Sequence, residues 1–166
     1  MERVYIFDTT LRDGGQTKGV DFSFADKIAI SEALDDLGID YIEGGWPGAN
    51  PTDDKLFGSP PKLKVSNFVA FGMTRRPNTS AANDPGLNAV LSGKSDSVCL
   101  VGKTWDFHVN KALNITLEEN IDMISESINE INKKGKQALF DCEHFFDGFK
   151  NNKKFALECV SSAFEA

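Results

Sequence analysis

The sequence predicts an α/β fold built on a parallel sheet. Five short apolar segments with the composition of strands recur along the 166 residues, and segments with a helical repeat lie between them. A spacing of roughly 30–40 residues from one strand to the next is typical of βαβ units. An open doubly wound sheet and a (β/α)8 barrel both use this pattern, and periodicity alone leaves the choice between them open.

The first elements are a strand at residues 4–7 and a helix that begins after Ser23. Ser23 is a good N-cap, with Asp26 three residues later, and apolar residues of this helix recur at i, i+3, i+4 and i+7. Gly38 ends the helix, and the second strand begins at Tyr41. The apolar residues of the repeat are Ile30, Ala33, Leu34 and Leu37.

The remaining strands are predicted at residues 67–71, 97–101 and 138–140. Between the last two strands, Thr116 and Glu119 form a capping box for a long helix that ends near Gly135. A last helix covers about residues 153–164, and the loop at residues 74–84 is polar and predicted to be exposed. The apolar face of the long helix comprises Leu117, Ile121, Ile124, Ile128 and Ile131, and that of the last helix Ala156, Cys159, Val160 and Ala163.

Composition is that of an ordinary globular protein, with 40% apolar and 26% charged residues. A net charge of -7 argues against nonspecific nucleic-acid binding, which depends on excess Lys and Arg. Three cysteines without a Cys-x-x-Cys spacing favour reduced thiols, and none has a setting that would activate it as a nucleophile. No signal peptide and no apolar run of about 18 residues is present. We therefore expect a cytoplasmic protein with neither nucleic acid nor membrane as a partner.

The densest polar cluster, residues 8–16, directly follows the first strand. Ligands bind at the carboxyl ends of parallel strands in both candidate architectures. Arg12 beside Asp13 suits a site where a carboxylate holds a cation and a guanidinium meets developing negative charge. A capped turn with a surface ion pair is the alternative. His108 and His144 also follow predicted strand ends, so both could face one pocket, although structural hydrogen bonding is the commoner role.

The same cluster carries a family resemblance. Residues 8–14, which read Asp-Thr-Thr-Leu-Arg-Asp-Gly, resemble the opening signature of the isopropylmalate, homocitrate and citramalate synthases, with hydroxymethylglutaryl-CoA lyase as a more distant relative. The resemblance continues at residues 41–51, 70–76, 102–109 and 143–149 and so covers essentially the whole chain. Gly-Gly-Trp-Pro-Gly at 44–48 and Glu-His-Phe-Phe-Asp-Gly at 143–148 resemble the citramalate branch. Position 15 departs from the pattern, with Gly where many relatives carry a larger residue, often Glu.

For the fold, this resemblance implies a partial (β/α)8 TIM barrel of about the first five β/α units. Residues 1–166 would then be the N-terminal part of a single catalytic domain, since five strands cannot close a barrel. For activity, it implies an acyltransferase that condenses acetyl-CoA with an α-keto acid, pyruvate in the citramalate branch, to (R)-citramalate on the route to isoleucine. The second hypothesis is a non-catalytic half-barrel that binds a small acid or associates through its open edges. The third is cleavage of a hydroxyacyl-CoA.

Residue by residue, the resemblance implies that Asp13 is a metal ligand and that Arg12 stabilises enolate or alkoxide charge. It implies that Glu43 supports this corner, that Gln16 lies near the keto acid, and that His108 lies on the substrate side. Complete relatives are expected to be homodimers that bind Mg, Mn or Zn and use a His-x-His pair that this chain lacks. We therefore expect the chain alone neither to retain the metal nor to be active.

Overall fold

Five parallel strands form one sheet, in which each strand lies beside its neighbours in sequence. The computed structural model describes residues 3–166, and the strand order is β1-β2-β3-β4-β5. A doubly wound sheet reverses its order at a switch point, whereas a barrel adds strands in one direction, so this order identifies a partial (β/α)8 barrel. The strands are β1 Phe7–Asp8, β2 Tyr41–Gly45, β3 Asn67–Met73, β4 Ser97–Lys103 and β5 Gln137–Glu143, and each pair is parallel.

Helices connect the strands and cover the outer face of the sheet. They are α1 Phe24–Leu37, α2 Pro51–Gly58, α3 Pro85–Ser92, α4 Asp106–His108, α5 Leu117–Lys133, α6 Phe145–Asn151 and α7 Lys153–Glu165. Short 3-10 turns lie at Gly14–Gln16 and Ala81–Asn83, and the π-helical segment Val109–Leu113 extends α4. Within the described range of 3–166, no helix combines the length and apolar character needed to cross a bilayer.

The core lies between the outer face of the sheet and helices α2, α3 and α5. Phe68 and Leu100 of the sheet, with Phe57, Leu87 and Ile128 of the helices, are among its buried members. The predicted apolar face of α5 is confirmed by the burial of Ile124, Ile128 and Ile131, and that of α7 by the burial of Ala156 and Cys159. This packing leaves the inner face of the sheet free to carry polar side chains.

The predicted N-cap of α1 is confirmed in full. Ser23 and Asp26 exchange hydrogen bonds as a reciprocal capping box, and Gly38 ends the helix in the left-handed region at φ 86°. The capping box predicted for α5 is only half formed, because Thr116 accepts from the backbone of Glu119 but the Glu119 carboxylate accepts from Arg75 at 2.7 Å instead. The loop at 74–84 is exposed only in part, because Arg75, Ala81 and Asp84 are buried.

Two other predictions are wrong in detail. The first strand is Phe7–Asp8 rather than 4–7, because β2 starts opposite Phe7 and residues 4–6 have no strand beside them there. Helix α1 is present, but its buried face carries Lys27, Ser31 and Asp35, while Leu37 is 75% exposed. The reason is that both charged groups find hydrogen-bond partners: Lys27 binds the buried Asp53, and Asp35 accepts three backbone N–H groups from residues 64–66.

Candidate active site at the carboxyl ends of the strands

Arg12 lies at the centre of the polar cluster that follows β1. Its Nε donates to Oε2 of Glu43, the third residue of β2, at 2.6 Å, and its Nη1 donates to Oδ1 of Asp13 at 3.0 Å. Backbone bonds from Arg12, Asp13 and Gly14 to the carbonyl of Thr9 form the tight turn that places the guanidinium above the strand ends. The three predicted residues Arg12, Asp13 and Glu43 are therefore in contact.

The two acidic partners of Arg12 have different surroundings. Glu43 is 1% exposed, whereas the Asp13 side chain is 60% exposed. A charge-assisted hydrogen bond to a buried carboxylate fixes a guanidinium more firmly than a bond to an exposed one, because water competes less. Glu43 is therefore the anchor of Arg12, and the Asp13 carboxylate keeps oxygen atoms accessible to solvent.

A cavity of about 390 Å³ opens beside this corner on the inner face of the sheet. Arg12 and Glu43 line it on one side, and Cys99 of β4 and Asp141 of β5 line it on the other. Burial raises the pKa of the Cys99 thiol to about 12, so this thiol is protonated at neutral pH and is not a nucleophile. The remaining lining residues are Phe7, Thr9, Leu139 and Phe140.

Two carboxyl groups of the cavity have raised pKa values. Burial raises the pKa of Glu43 above its ordinary value of 4.5, with smaller contributions from Asp141 and Asp13, and Arg12 opposes the rise. Burial also raises the pKa of Asp141 above its ordinary value of 3.8, again against the effect of Arg12. Carboxyl groups with shifted pKa values around one guanidinium in a cavity are typical of functional sites.

Gln16 and His108 lie apart from that contact group. Gln16 is exposed and lines a second cavity, of about 380 Å³, that Arg12 also borders. The His108 ring lies 4.6 Å from that of His144, edge to face, and 4.8 Å from that of Trp105. The two histidine rings are therefore neighbours, but neither lines the two cavities described above, so a shared pocket stays a prediction. No hydrogen bond, ion pair or ring contact joins His108 to the other predicted site residues within residues 3–166.

His108 retains an unused polar atom. Its Nδ1 is buried and has no hydrogen-bond partner within the described residues, whereas Nδ1 of His144 lies 3.2 Å from the Asp147 carboxylate. A buried polar atom without a partner is costly. Among residues 3–166, it is therefore one of the groups that a bound molecule could satisfy.

Sequence reasoning missed Asp141, Lys27 and Asp53. Asp141 had a usable signal, because it lies two residues before Glu143 on β5, and alternate residues of a strand face the same side. Lys27 and Asp53 had none, because a lysine inside an amphipathic helix and an aspartate in a helical first turn are typical of solvated positions.

A divalent metal would find only part of a site in the described residues. Asp13 has a suitable carboxylate, but Glu43 is bound to Arg12 and both oxygens of Asp8 accept from Thr10. Within residues 3–166 no three His, Cys, Asp or Glu side chains are grouped so that they could hold a metal ion. Protein metal sites need several such ligands. Of the ligand set that the resemblance implies, the described residues therefore supply the Asp13 carboxylate.

Comparison with known proteins agrees with this geometry. The chain is 49% identical over 164 residues to (R)-citramalate synthase of Aquifex aeolicus, covering 98% of this chain and 31% of that protein. It is 32% identical over 168 residues to 2-isopropylmalate synthase of Sulfurisphaera tokodaii, covering 99% of this chain and 40% of the relative. The crystal structure of Bacillus subtilis HMG-CoA lyase has the same fold, with a TM-score of 0.73 at 19% identity, over 98% of this chain and 55% of that one.

The chain thus spans between 31% and 40% of the length of these two curated relatives. The family model described as HMGL-like matches residues 3–166, which is nearly the whole chain. The chain therefore belongs to the HMGL-like family.

Proposed function

We propose that the protein containing this chain is an acyltransferase that condenses acetyl-CoA with pyruvate to form (R)-citramalate. In this proposal residues 1–166 are the N-terminal part of a single TIM-barrel catalytic domain. The 49% identity to a relative named (R)-citramalate synthase, against 32% for one named 2-isopropylmalate synthase, supports pyruvate as the keto acid. Because the chain covers less than half of either relative, the residues that complete the reaction lie elsewhere in the protein.

The observation that carries the proposal is the way Arg12 is held. Its Nε and Nη1 donate to Glu43 and Asp13, whereas Nη2 has no hydrogen-bond partner in the described part of the chain. In a condensation of this type, negative charge develops first on the thioester oxygen of the enolate and then on the ketone oxygen. A donor that is already fixed in place stabilises such charge without reorganising. We assign this role to Arg12.

The other residues have supporting roles in the proposal. Glu43 holds the guanidinium in place, and Asp13 is one ligand of a divalent metal, Mg, Mn or Zn, that would polarise the keto acid in the complete protein. Gln16, on the cavity that Arg12 borders, and His108, with its unpartnered Nδ1, are assigned to the substrate side. We further propose that the complete enzyme is a cytoplasmic homodimer that acts on the route to isoleucine.

The experiment is an assay of the complete protein for free CoA released from acetyl-CoA. We expect release that requires both a keto acid and Mg or Mn, with pyruvate preferred over a branched keto acid. Preference for the branched acid would instead support an isopropylmalate synthase, and cleavage of hydroxymethylglutaryl-CoA would support a lyase. The matched control is the chain of residues 1–166 alone, for which we expect no release because its ligand set is incomplete. Metal-dependent release by this chain that is lost on Asp13→Ala would contradict that expectation.

A further inference from the structure

A buried ion pair lies beneath the strand end that carries Glu43. Nζ of Lys27, on helix α1, lies 2.5 Å from Oδ1 of Asp53, on helix α2, and the two residues are 6% and 5% exposed. Each helix therefore contributes a fully buried charge to the same point behind β2. Such a pair loses its hydration, and apolar residues of similar volume are often as stabilising or more so. Stability alone therefore does not explain why these two charges lie here.

The pair is bonded to the backbone that follows Glu43. Lys27 Nζ also donates to the carbonyl oxygen of Gly44 at 2.9 Å, and the second carboxylate oxygen of Asp53 accepts from the backbone N–H of Trp46 at 2.9 Å. The same oxygen accepts from the Asn50 side chain at 2.9 Å. The ion pair thus fixes the two peptide groups that flank Gly45.

The backbone at this point departs from a regular strand. The pairing of β2 with β3 shifts register between Glu43 and Gly45, and Gly45 has a φ of 154°. A side chain at Gly45 would place its Cβ 2.5 Å from Cγ of Asp53, so the carboxylate occupies the space that a side chain would need. Irregularities of this kind re-aim the side chains of a strand. The residue immediately before the shift is Glu43.

Two routes lead from this irregularity to Arg12. Along the backbone, Glu43 accepts the bond from Arg12 Nε. Through side chains, Trp46 packs edge-on against Phe71 at 5.5 Å between ring centroids, and the Arg12 guanidinium carbon lies 3.9 Å from the centroid of the Phe71 ring. Trp46 also lines the cavity that Arg12 and Gln16 share. The ion pair is therefore joined to both groups that orient the guanidinium.

We propose that Lys27 and Asp53 are positioning residues that hold the end of β2 in the conformation that directs Glu43 and Trp46 toward Arg12. Lys27 and Asp53 do not line the cavity of Glu43 and Asp141. They lie in the wall of the cavity that Arg12, Gln16 and Trp46 share, and we assign their effect on Arg12 to their hold on Glu43 and Trp46. The kinetic consequence rests on the proposed function, whereas the structural consequence does not.

The kinetic test uses Lys27→Met and Asp53→Asn in the complete protein. We expect each to lower kcat about 10- to 100-fold, the scale of a misplacement of about 1 Å, with little change in KM for the keto acid. Because part of the effect passes through Glu43, Lys27→Met is expected to cost less in a Glu43→Gln background than in the original protein. Losses that multiply in the double variant would overturn the proposal.

Two further variants separate positioning from general destabilisation. Lys27→Met combined with Asp53→Leu removes both charges, so no unpaired charge is left buried and the protein is expected to fold. We expect kcat to be lowered in this double variant as well. A kcat at the original level would overturn the proposal. The matched control is Asp35→Asn, a buried carboxylate on the same face of α1 that bonds only to residues 64–66. We expect it to lower stability and leave kcat unchanged.

A fluorescence measurement tests the structural part without any activity. Trp46 and Trp105 are the two tryptophans of the sequence, so Trp46 is the sole reporter within this segment in a Trp105→Phe background. The sample is the complete protein in which every tryptophan except Trp46 is replaced by phenylalanine. In this background we expect Lys27→Met to increase acrylamide quenching of Trp46. Unchanged quenching would contradict the positioning role, even if the complete protein proved to have no synthase activity.

Discussion

The guanidinium of Arg12 lies over the ring of Phe71, with 3.9 Å between its Cζ and the ring centroid. Its Nε edge is bound to Glu43 at 2.6 Å. Together, the aromatic face and the buried carboxylate restrict the tilt and the rotation of the planar guanidinium group. The edge formed by Nη2 is therefore presented in one orientation, which is the property that an oxyanion donor needs.

Replacing Arg12 tests the proposed role of this donor. In the complete protein, Arg12→Ala is expected to lower kcat by about 100- to 1,000-fold, or about 3–4 kcal/mol, with a much smaller effect on pyruvate binding. Arg12→Lys should not restore the rate, because an ammonium cannot bond to Glu43 and an oxyanion in the same planar geometry. Steady-state CoA release measures both variants.

The matched control for Arg12 is Arg3→Ala, which removes an exposed arginine whose partner is Asp40. We expect it to leave kcat unchanged, since exposed pairs contribute little. A kcat that is unaffected by Arg12→Ala would remove Arg12 from the mechanism.

Phe71→Leu tests the aromatic support separately. It removes the ring beneath the cation but keeps an apolar side chain, so we expect a loss in kcat that corresponds to about 0.5–2 kcal/mol. Phe71→Tyr keeps the ring face and should retain most of the rate. Equal rates for the leucine and tyrosine variants would show that the ring serves only as packing.

Glu43→Gln tests the pH dependence of stability. Burial raises the pKa of Glu43 above 4.5, so folding favours the protonated form of this side chain. The stability that results is fully present below pH 4.5 and is lost as the pH rises through the raised pKa of the folded protein. Glutamine does not titrate. We therefore expect the stability of the glutamine variant, relative to the original protein, to increase from about pH 4 to pH 7. Urea denaturation midpoints across this range measure it, and a constant difference would contradict the raised pKa.

Gly44→Ala tests how closely β2 packs against β3. A Cβ at Gly44 would overlap the ring of Phe68 in the core, so we expect a loss of about 1–3 kcal/mol in the free energy of unfolding. The control is Gly58→Ala in α2, where no atom lies within 4 Å and alanine is the better helix former by up to about 1 kcal/mol. If both variants lost the same stability in urea, the overlap would not be the cause.

Local signals in the sequence were sufficient for most elements. Ser23 with Asp26, Gly38, and the isoleucines of α5 predict caps and faces correctly, because each depends on residues within a few positions of one another. The position of Arg12 and Asp13 just after a strand likewise predicts their place at the ligand-binding edge. The family resemblance implies Glu43 beside them, and in the structure Arg12 contacts both carboxylates.

What the sequence alone determined was therefore the alternation of strands and helices, their caps, and a polar cluster at a strand end whose signature carries the family. The tertiary structure decided the consecutive strand order, the buried polar face of α1 and the joining of Lys27 to Asp53. The physical reason is that hydrophobic periodicity indicates only which face of a helix or strand is apolar on average. Whether a charge is buried depends on a partner brought to it from 26 residues away, as Asp53 is brought to Lys27.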